Sequence, residues 1–419
     1  MKLLKGNLVH APVLGAPEII ERGAILLEDD GTIREVLHTP PEHFGGEVID
    51  CGDALIMQSF VDMHLHAPQY PMLGMGMDLP LIDWLNTYTF KTEARFADQD
   101  YARRVYRKLA SDLITNGTTR VCMFSSLHTD ATLILMEELE KAGVTGYVGK
   151  VNMDRNSIPE LEETTDESMR ETLRWLEGCE RFHYIKPILT PRFTPSCTNE
   201  LMSWLGKLAR ERDLPVQSHL SENLGEIAWV RELHPDCTQY WETYDKYGLW
   251  KRGTVMAHCV HSDAREVEAM RRADVVVAHC AGSNINLCSG VSPVREMLEK
   301  GIWVTLGSDI AGGASLAMHR VIAMSIRASK IKRIETDWSE DFLTVPEAYY
   351  LGTTSGHRYF GAQSGFAAGD KLHAIVVDDS DFTEPTRPLT VSERFERAIY
   401  MMHRHNIVSV WSEGRRVVG

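Results

Sequence analysis

The sequence is short of three features that often announce a function. It contains no run of about 18 apolar residues, the length a membrane-spanning helix requires. Its eight cysteines (51, 122, 179, 197, 237, 259, 280 and 288) never form a C-x-x-C pair, which argues against a cysteine-based zinc knuckle. Positive charge is scarce: 44 Lys and Arg face 59 Asp and Glu, a formal net charge of −15. That balance argues against a nucleic-acid backbone as the main partner, because phosphate binding calls for a basic patch. The opening stretch "MKLLKGNLVHAPVLGAPEII" is interrupted by His10, Pro12 and Pro17, so it lacks the apolar core of a signal peptide. The scattered cysteines read as reduced thiols, and the expected location is the cytoplasm.

What is present is ordinary in bulk, with 43% hydrophobic and 25% charged residues over a length of 419. Such a chain suits one large catalytic domain with a smaller companion. Residues 1–60 read as short strands, with Asp30-Gly31 marking a hairpin. From 61 to 364, short apolar strands alternate with amphipathic helices such as "YARRVYRKLASDLITNG", which Gly117 can end. The strand candidates are "FVDMH", "TTRVCMF", "VTGYVGKV", "YIKPILT", "PVQSH", "TVMAH", "DVVVAH" and "IWVTLGSD". Eight strand–helix units predict an α/β chain built on a (β/α)8 TIM-like barrel. An open doubly wound sheet is the competing arrangement, but no G-x-G-x-x-G follows the first strand. Residues 365–419 return to strand-and-turn texture. Both chain ends are therefore expected to form one small flanking β-sandwich domain.

The polar residues at the strand ends carry the chemistry. His64 and His66 are two apart in a strand, so both imidazoles point to one face. His219 ends the fifth strand, His258 the sixth and Asp309 the eighth. In a barrel these ends meet at one mouth. Three imidazoles and a carboxylate suit zinc, or ferrous iron, with one position left for water. Glu222 follows His219 by three residues, where its carboxylate can accept a proton from activated water. It could equally be an acid at a helix N-terminus.

H-x-H, a later H-x-x-E, a further histidine and a strand-eight aspartate together resemble the amidohydrolase superfamily, in its mononuclear deaminase branch. The segments "HAPQY", "DLPLIDWL", "GKVNMD", "TPRF", "SHLSEN" and "GSDIAGG" resemble the guanine-deaminating family of that branch. The resemblance implies one zinc held by His64, His66, His219 and Asp309. It implies catalysis by Glu222, His258 and Asp309, with Glu222 shuttling the proton and His258 positioning the attacking water. It implies a guanine pocket formed by Gln69, Arg192 and Phe193 and closed by Trp84, in a homodimer that needs no nucleic acid or membrane. Two positions depart from the family pattern: Gln58 and Ala281 stand where proline is usual. A binuclear relative would need a bridging lysine, for which Lys186 and Lys150 are the candidates. Other deaminases of the branch, and a noncatalytic metal-binding barrel, are the remaining alternatives.

Overall fold

The computed structural model describes residues 1–419. Eight strands run Phe60–His66, Thr118–Phe124, Thr145–Gly149, Ile185–Pro187, Gln217–Leu220, Val255–His258, Val276–His279 and Trp303–Leu306. They pair in parallel as two groups of four. A bridge between Leu189 and Val216 joins the groups on one side. On the other, the Asp309 amide donates to the His64 carbonyl (2.8 Å) and the His66 amide to the Ile310 carbonyl (3.0 Å). The ring is closed, as the alternating strand and helix pattern predicts.

The helix Gln99–Thr115 starts at Asp98, whose carboxylate accepts from the Asp100 and Tyr101 amides. It buries Ala102, Tyr106, Leu109, Leu113 and Ile114 along one stripe. It gives way to Asn116 and to Gly117, which has φ +82°. A Cβ on Gly117 would lie 2.9 Å from Ile375 and 3.3 Å from Phe60, so glycine also permits close packing there.

Strands from both chain ends form one seven-stranded sheet beside the barrel. Lys2–Val13, Ala16–Leu27, Ile33–Leu37 and Glu47–Gln58 come from the N-terminal end. Ala374–Val377, Ile407–Ser412 and Arg415–Val418 come from the other, and Gln58 pairs opposite Ala374. Three of the N-terminal strands are 12 residues long rather than short, because register shifts let pairing continue past irregularities such as Gly6. The fourth barrel strand is shorter than its sequence suggests. It stops at Pro187, and Thr190–Pro191 pairs instead with Val151–Asn152. Prolines at 187 and 191 remove the amides a continuous ladder would need. Gln58 is buried, and its Oε1 accepts from the Ala11 amide (2.8 Å) and the Thr354 hydroxyl (3.0 Å), contacts no proline could make. No helix is long and apolar enough to cross a membrane, and all eight cysteines are free.

Buried polar groups staple the sheet to the foot of the barrel. Arg120 of the second barrel strand reaches Glu413 (3.4 Å), and His373 bridges Glu413 (3.0 Å) and Thr119 (2.9 Å). Burial and the nearby guanidinium push His373 down to about 4. Glu413 is drawn down to about 2: burial alone would raise it, but His373 and Arg120 outweigh that. The unfolded chain therefore protonates His373 near its ordinary value of 6.5, before the folded protein does. Stability tied to His373 is present above that value and is lost as the pH falls toward 4, by up to roughly 3 kcal/mol. Glu413 adds its own loss only below about 4.5. The unfolding midpoint should thus drop between pH 6.5 and 4, and His373→Gln should flatten that slope while lowering the midpoint at pH 7. Equal slopes in thermal melts of the two proteins would contradict this.

Candidate active site

The mouth is organised by how the first strand meets the loop after the eighth. The register of the first strand shifts between Asp62 and Leu65. Such a bulge re-aims side chains beside it. Leu65 packs into the main core, while the His64 and His66 rings sit 5.0 Å apart and edge-to-face at the mouth. The buried Asp62 carboxylate accepts from the Ser308 amide (2.9 Å) and hydroxyl. Burial pushes its pKa up to about 7, against the pull of those Ser308 bonds. Gly307 passes so near the strand that a Cβ would lie 2.8 Å from His64 Cβ. Asp309 therefore does not end the eighth strand. It lies three residues beyond Leu306, with φ +47°, and is pinned to His64 through its amide. His258 (φ +72°) and Ser221 (φ +48°) adopt the same sparsely populated backbone region, and such outliers gather where side-chain aim is imposed.

Four groups converge there. Asp309 Oδ1 lies 3.2 Å from His64 Nε2 and 3.5 Å from His66 Nε2. His66 Nε2 is 3.1 Å from His219 Nε2. The His219 Nδ1–H donates to the Arg192 carbonyl (2.6 Å), which leaves Nε2 as a lone pair directed at the cluster. Burial lowers the pKa of His64, and of His66 and His219 further still, so these rings are held neutral. Burial would raise Asp309, but the His64 contact and the neighbouring imidazoles hold it well below the carboxylate range. Buried His64 Nε2 and His66 Nδ1 have no hydrogen-bond partner. Imidazole nitrogens and a carboxylate crowded together, with two buried histidine nitrogens left orphaned, fit a cation, and this donor set suits a metal with an open position. Two three-donor sets have ligand atoms all within 4.8 Å of one another: His64, His219 and His258, and His64, Cys280 and Asp309.

His258 and Glu222 stand beside this cluster. His258 Nε2 is 3.5 Å from Glu222 Oε2 and 3.8 Å from Asp309 Oδ2. Its Nδ1 faces the Asn284 amide oxygen at 2.8 Å, an orientation set by Asn284 Nδ2 donating to Ser292. Burial would lower the His258 pKa, but Glu222 and Asp309 outweigh it and the net direction is upward. Glu222 does not cap the helix that follows. Asn223 caps Leu224–Leu233, and Glu226 completes the capping box. Glu226 also accepts from the Glu222 amide (2.9 Å) and the Tyr240 hydroxyl (2.7 Å), freeing the Glu222 side chain to face the cluster. Burial pushes Glu222 up to about 7, although His258 pulls the other way.

One cavity joins these groups to the remaining expected residues. His66, His219, Glu222, His258 and Asp309 line one part, and Gln69, Trp84, Arg192 and Phe193 line another. His64 does not face it. Leu81 and Leu287 complete an apolar cover with Trp84, whose indole N–H donates to the Met75 carbonyl (3.0 Å). Phe193 packs edge-on against Trp229. Neither lysine candidate for a metal bridge approaches: Lys150 is buried against Glu163 (2.9 Å), and Lys186 binds the Phe182 carbonyl. The sequence reading missed Glu93, Glu226, Asn284 and Ser289, whose hydroxyl donates to Glu222 (3.2 Å). Only Glu226 had a sequence signal, the N-x-x-E capping pattern.

The amidohydrolase family model matches residues 55–417. A guanine deaminase from Dictyostelium discoideum is 34% identical, over 100% of this chain and 98% of that protein. The crystal structure of a guanine deaminase from C. acetobutylicum with bound guanine in the active site superposes with a TM-score of 0.96 at 43% identity, covering 99% of each chain. A zinc-bound adenosine deaminase from Xanthomonas campestris, at 21% identity and a TM-score of 0.86 over 100% of this chain and 92% of that one, shares the fold. With barrel, flanking sheet and mouth cluster all in place, these matches make the chain a member of the amidohydrolase family, among its guanine deaminases.

Proposed function

We propose that this site hydrolyses guanine at C2, consuming one water and yielding xanthine and ammonia. The observation that carries the reading is a single cavity lined both by the carboxylate–imidazole cluster and by Gln69 and Arg192. The proposed metal is one zinc, held by His64, His66, His219 and Asp309. When bound, it would supply a Lewis acid that makes water nucleophilic near neutral pH.

Glu222 is the proposed proton carrier. A buried carboxylate poised near neutrality can take the proton from water and return it to a ring nitrogen of the purine. His258 presents Nε2 between Glu222 and Asp309 and so orients the water toward C2. Asp309 helps carry a proton to the departing amino group. Arg192, whose guanidinium can only donate, suits the carbonyl oxygen at C6 and opposes an amino group there. Phe193 and Trp84 supply apolar surface around the ring, where burial strengthens each polar contact.

Two experiments test the assignment. Elemental analysis should find close to one zinc per chain. His219→Ala should lose it, whereas Cys280→Ser should keep it, because the thiol belongs to the alternative donor set. Two metal equivalents required for full activity, or metal loss in the serine variant alone, would contradict the ligand set. General acid–base groups contribute about 10²–10⁴ in rate, so Glu222→Gln should lose at least that much kcat with its metal retained. Near-wild-type turnover by that variant would remove Glu222 from the chemistry.

A further inference from the structure

Glu93 lies on the short helix Phe90–Ala94, is 1% exposed, and does not line the cavity. It sits behind the two residues that do. Its Oε2 accepts from Arg192 Nη1 (2.6 Å), and its Oε1 accepts from Arg192 Nη2 (3.0 Å) and from Gln69 Nε2 (2.9 Å). The Gln69 Oε1 in turn accepts from the Ala311 amide (3.0 Å). A carboxylate can only accept and a backbone amide can only donate, so the Gln69 side chain has one orientation. One of the two lone pairs on its oxygen is taken by the Ala311 amide. The donors left for a ligand are the second Nε2–H and the Arg192 N–H groups that Glu93 leaves uncommitted.

We propose that Glu93 is a positioning residue for purine selection: it fixes Gln69 and Arg192 as an edge that presents N–H donors to the cavity. This rests on the reading of the site as guanine-binding and deepens it. A purine with oxygen at C6 meets that edge with acceptors. A purine with an amino group at C6 sets donor against donor, and the buried groups go unpaired. An ion pair needed only to neutralise Arg192 would not require the third contact. That contact links Gln69, just past the first barrel strand, to Arg192, which follows the fourth and whose carbonyl also orients His219.

The test uses Glu93→Gln, which keeps the shape but replaces one acceptor with a donor. Metal content, guanine kinetics, and binding of hypoxanthine and adenine are measured on the metal-loaded protein. Hypoxanthine has the C6 oxygen and lacks the C2 amino group, so its binding does not depend on turnover. Metal content should be unchanged. The KM for guanine and the Kd for hypoxanthine should rise about 10- to 100-fold, as for loss of a hydrogen bond to a charged group. Adenine binding should stay within about threefold, so preference for the C6 oxygen narrows. In an Arg192→Ala background, Glu93→Gln should add little further loss, since the two act as one unit.

Unchanged hypoxanthine affinity, equal weakening of both purines, or additive losses would overturn the proposal. Should Glu93→Gln fail to fold, Glu93→Asp decides the same question. It keeps both acceptors at a shorter reach and should weaken hypoxanthine selectively, and parallel weakening of adenine would overturn the role. Wild-type protein that releases no ammonia from guanine refutes the proposed function, while the hypoxanthine-to-adenine ratio still decides Glu93. Wild-type protein that binds neither purine refutes both.

Discussion

The closure of the barrel between its first strand and the loop after its eighth is the constraint on which the site depends. Asp62 holds Ser308, Gly307 lets the loop pass against His64, and the Asp309 amide binds the His64 carbonyl. These contacts place a carboxylate within 3.5 Å of two imidazoles, an arrangement that neither segment could hold alone. Three neutral rings and one ionised acid are then buried together, and His64 Nε2 and His66 Nδ1 are left without partners. A bound cation resolves that conflict, which is why the cluster is better explained as a metal cradle than as a stabilising network.

A second layer sets the aim of the groups that meet substrate. Asn223 and Glu226 cap the helix after Glu222, Asn284 sets the His258 ring, and the Arg192 carbonyl sets His219. The arginine thus belongs to both layers, its backbone serving the cluster and its guanidinium the cavity. Each orientation is fixed by a buried hydrogen-bond partner, so little reorganisation is left for the moment of reaction.

Much of this was legible in the sequence, and the reasons are specific. The strand candidates "TTRVCMF" and "DVVVAH" lie on observed strands because buried parallel strands read as continuous apolar runs. The histidines could be grouped because strand ends in a barrel share one mouth. Asp309 was placed at a strand end although it sits on a strained turn, since the contacts with Asp62 and His64 that impose the turn are remote in sequence. The fourth strand is shorter than its apolar run suggests, because Pro187 and Pro191 interrupt the ladder that the run alone would support. Glu93 was invisible for a different reason. In "TFKTEARF" it looks like any solvated helix acid, and only the folded chain brings Gln69 and Arg192 to it. In sequence Glu222 reads equally as a helix acid and a proton carrier, and in the fold Asn223 occupies the cap.

The central claim is that this mouth removes the exocyclic amino group from C2 of guanine and spares purines and pyrimidines with other edges. Guanine carrying ¹⁵N only at that amino group, incubated with the metal-loaded protein beside adenine and cytosine, tests it most directly. The account predicts labelled ammonia and xanthine in equal amounts from guanine, with negligible ammonia from the other two. Unlabelled ammonia, no ammonia, or comparable release from adenine or cytosine would contradict it.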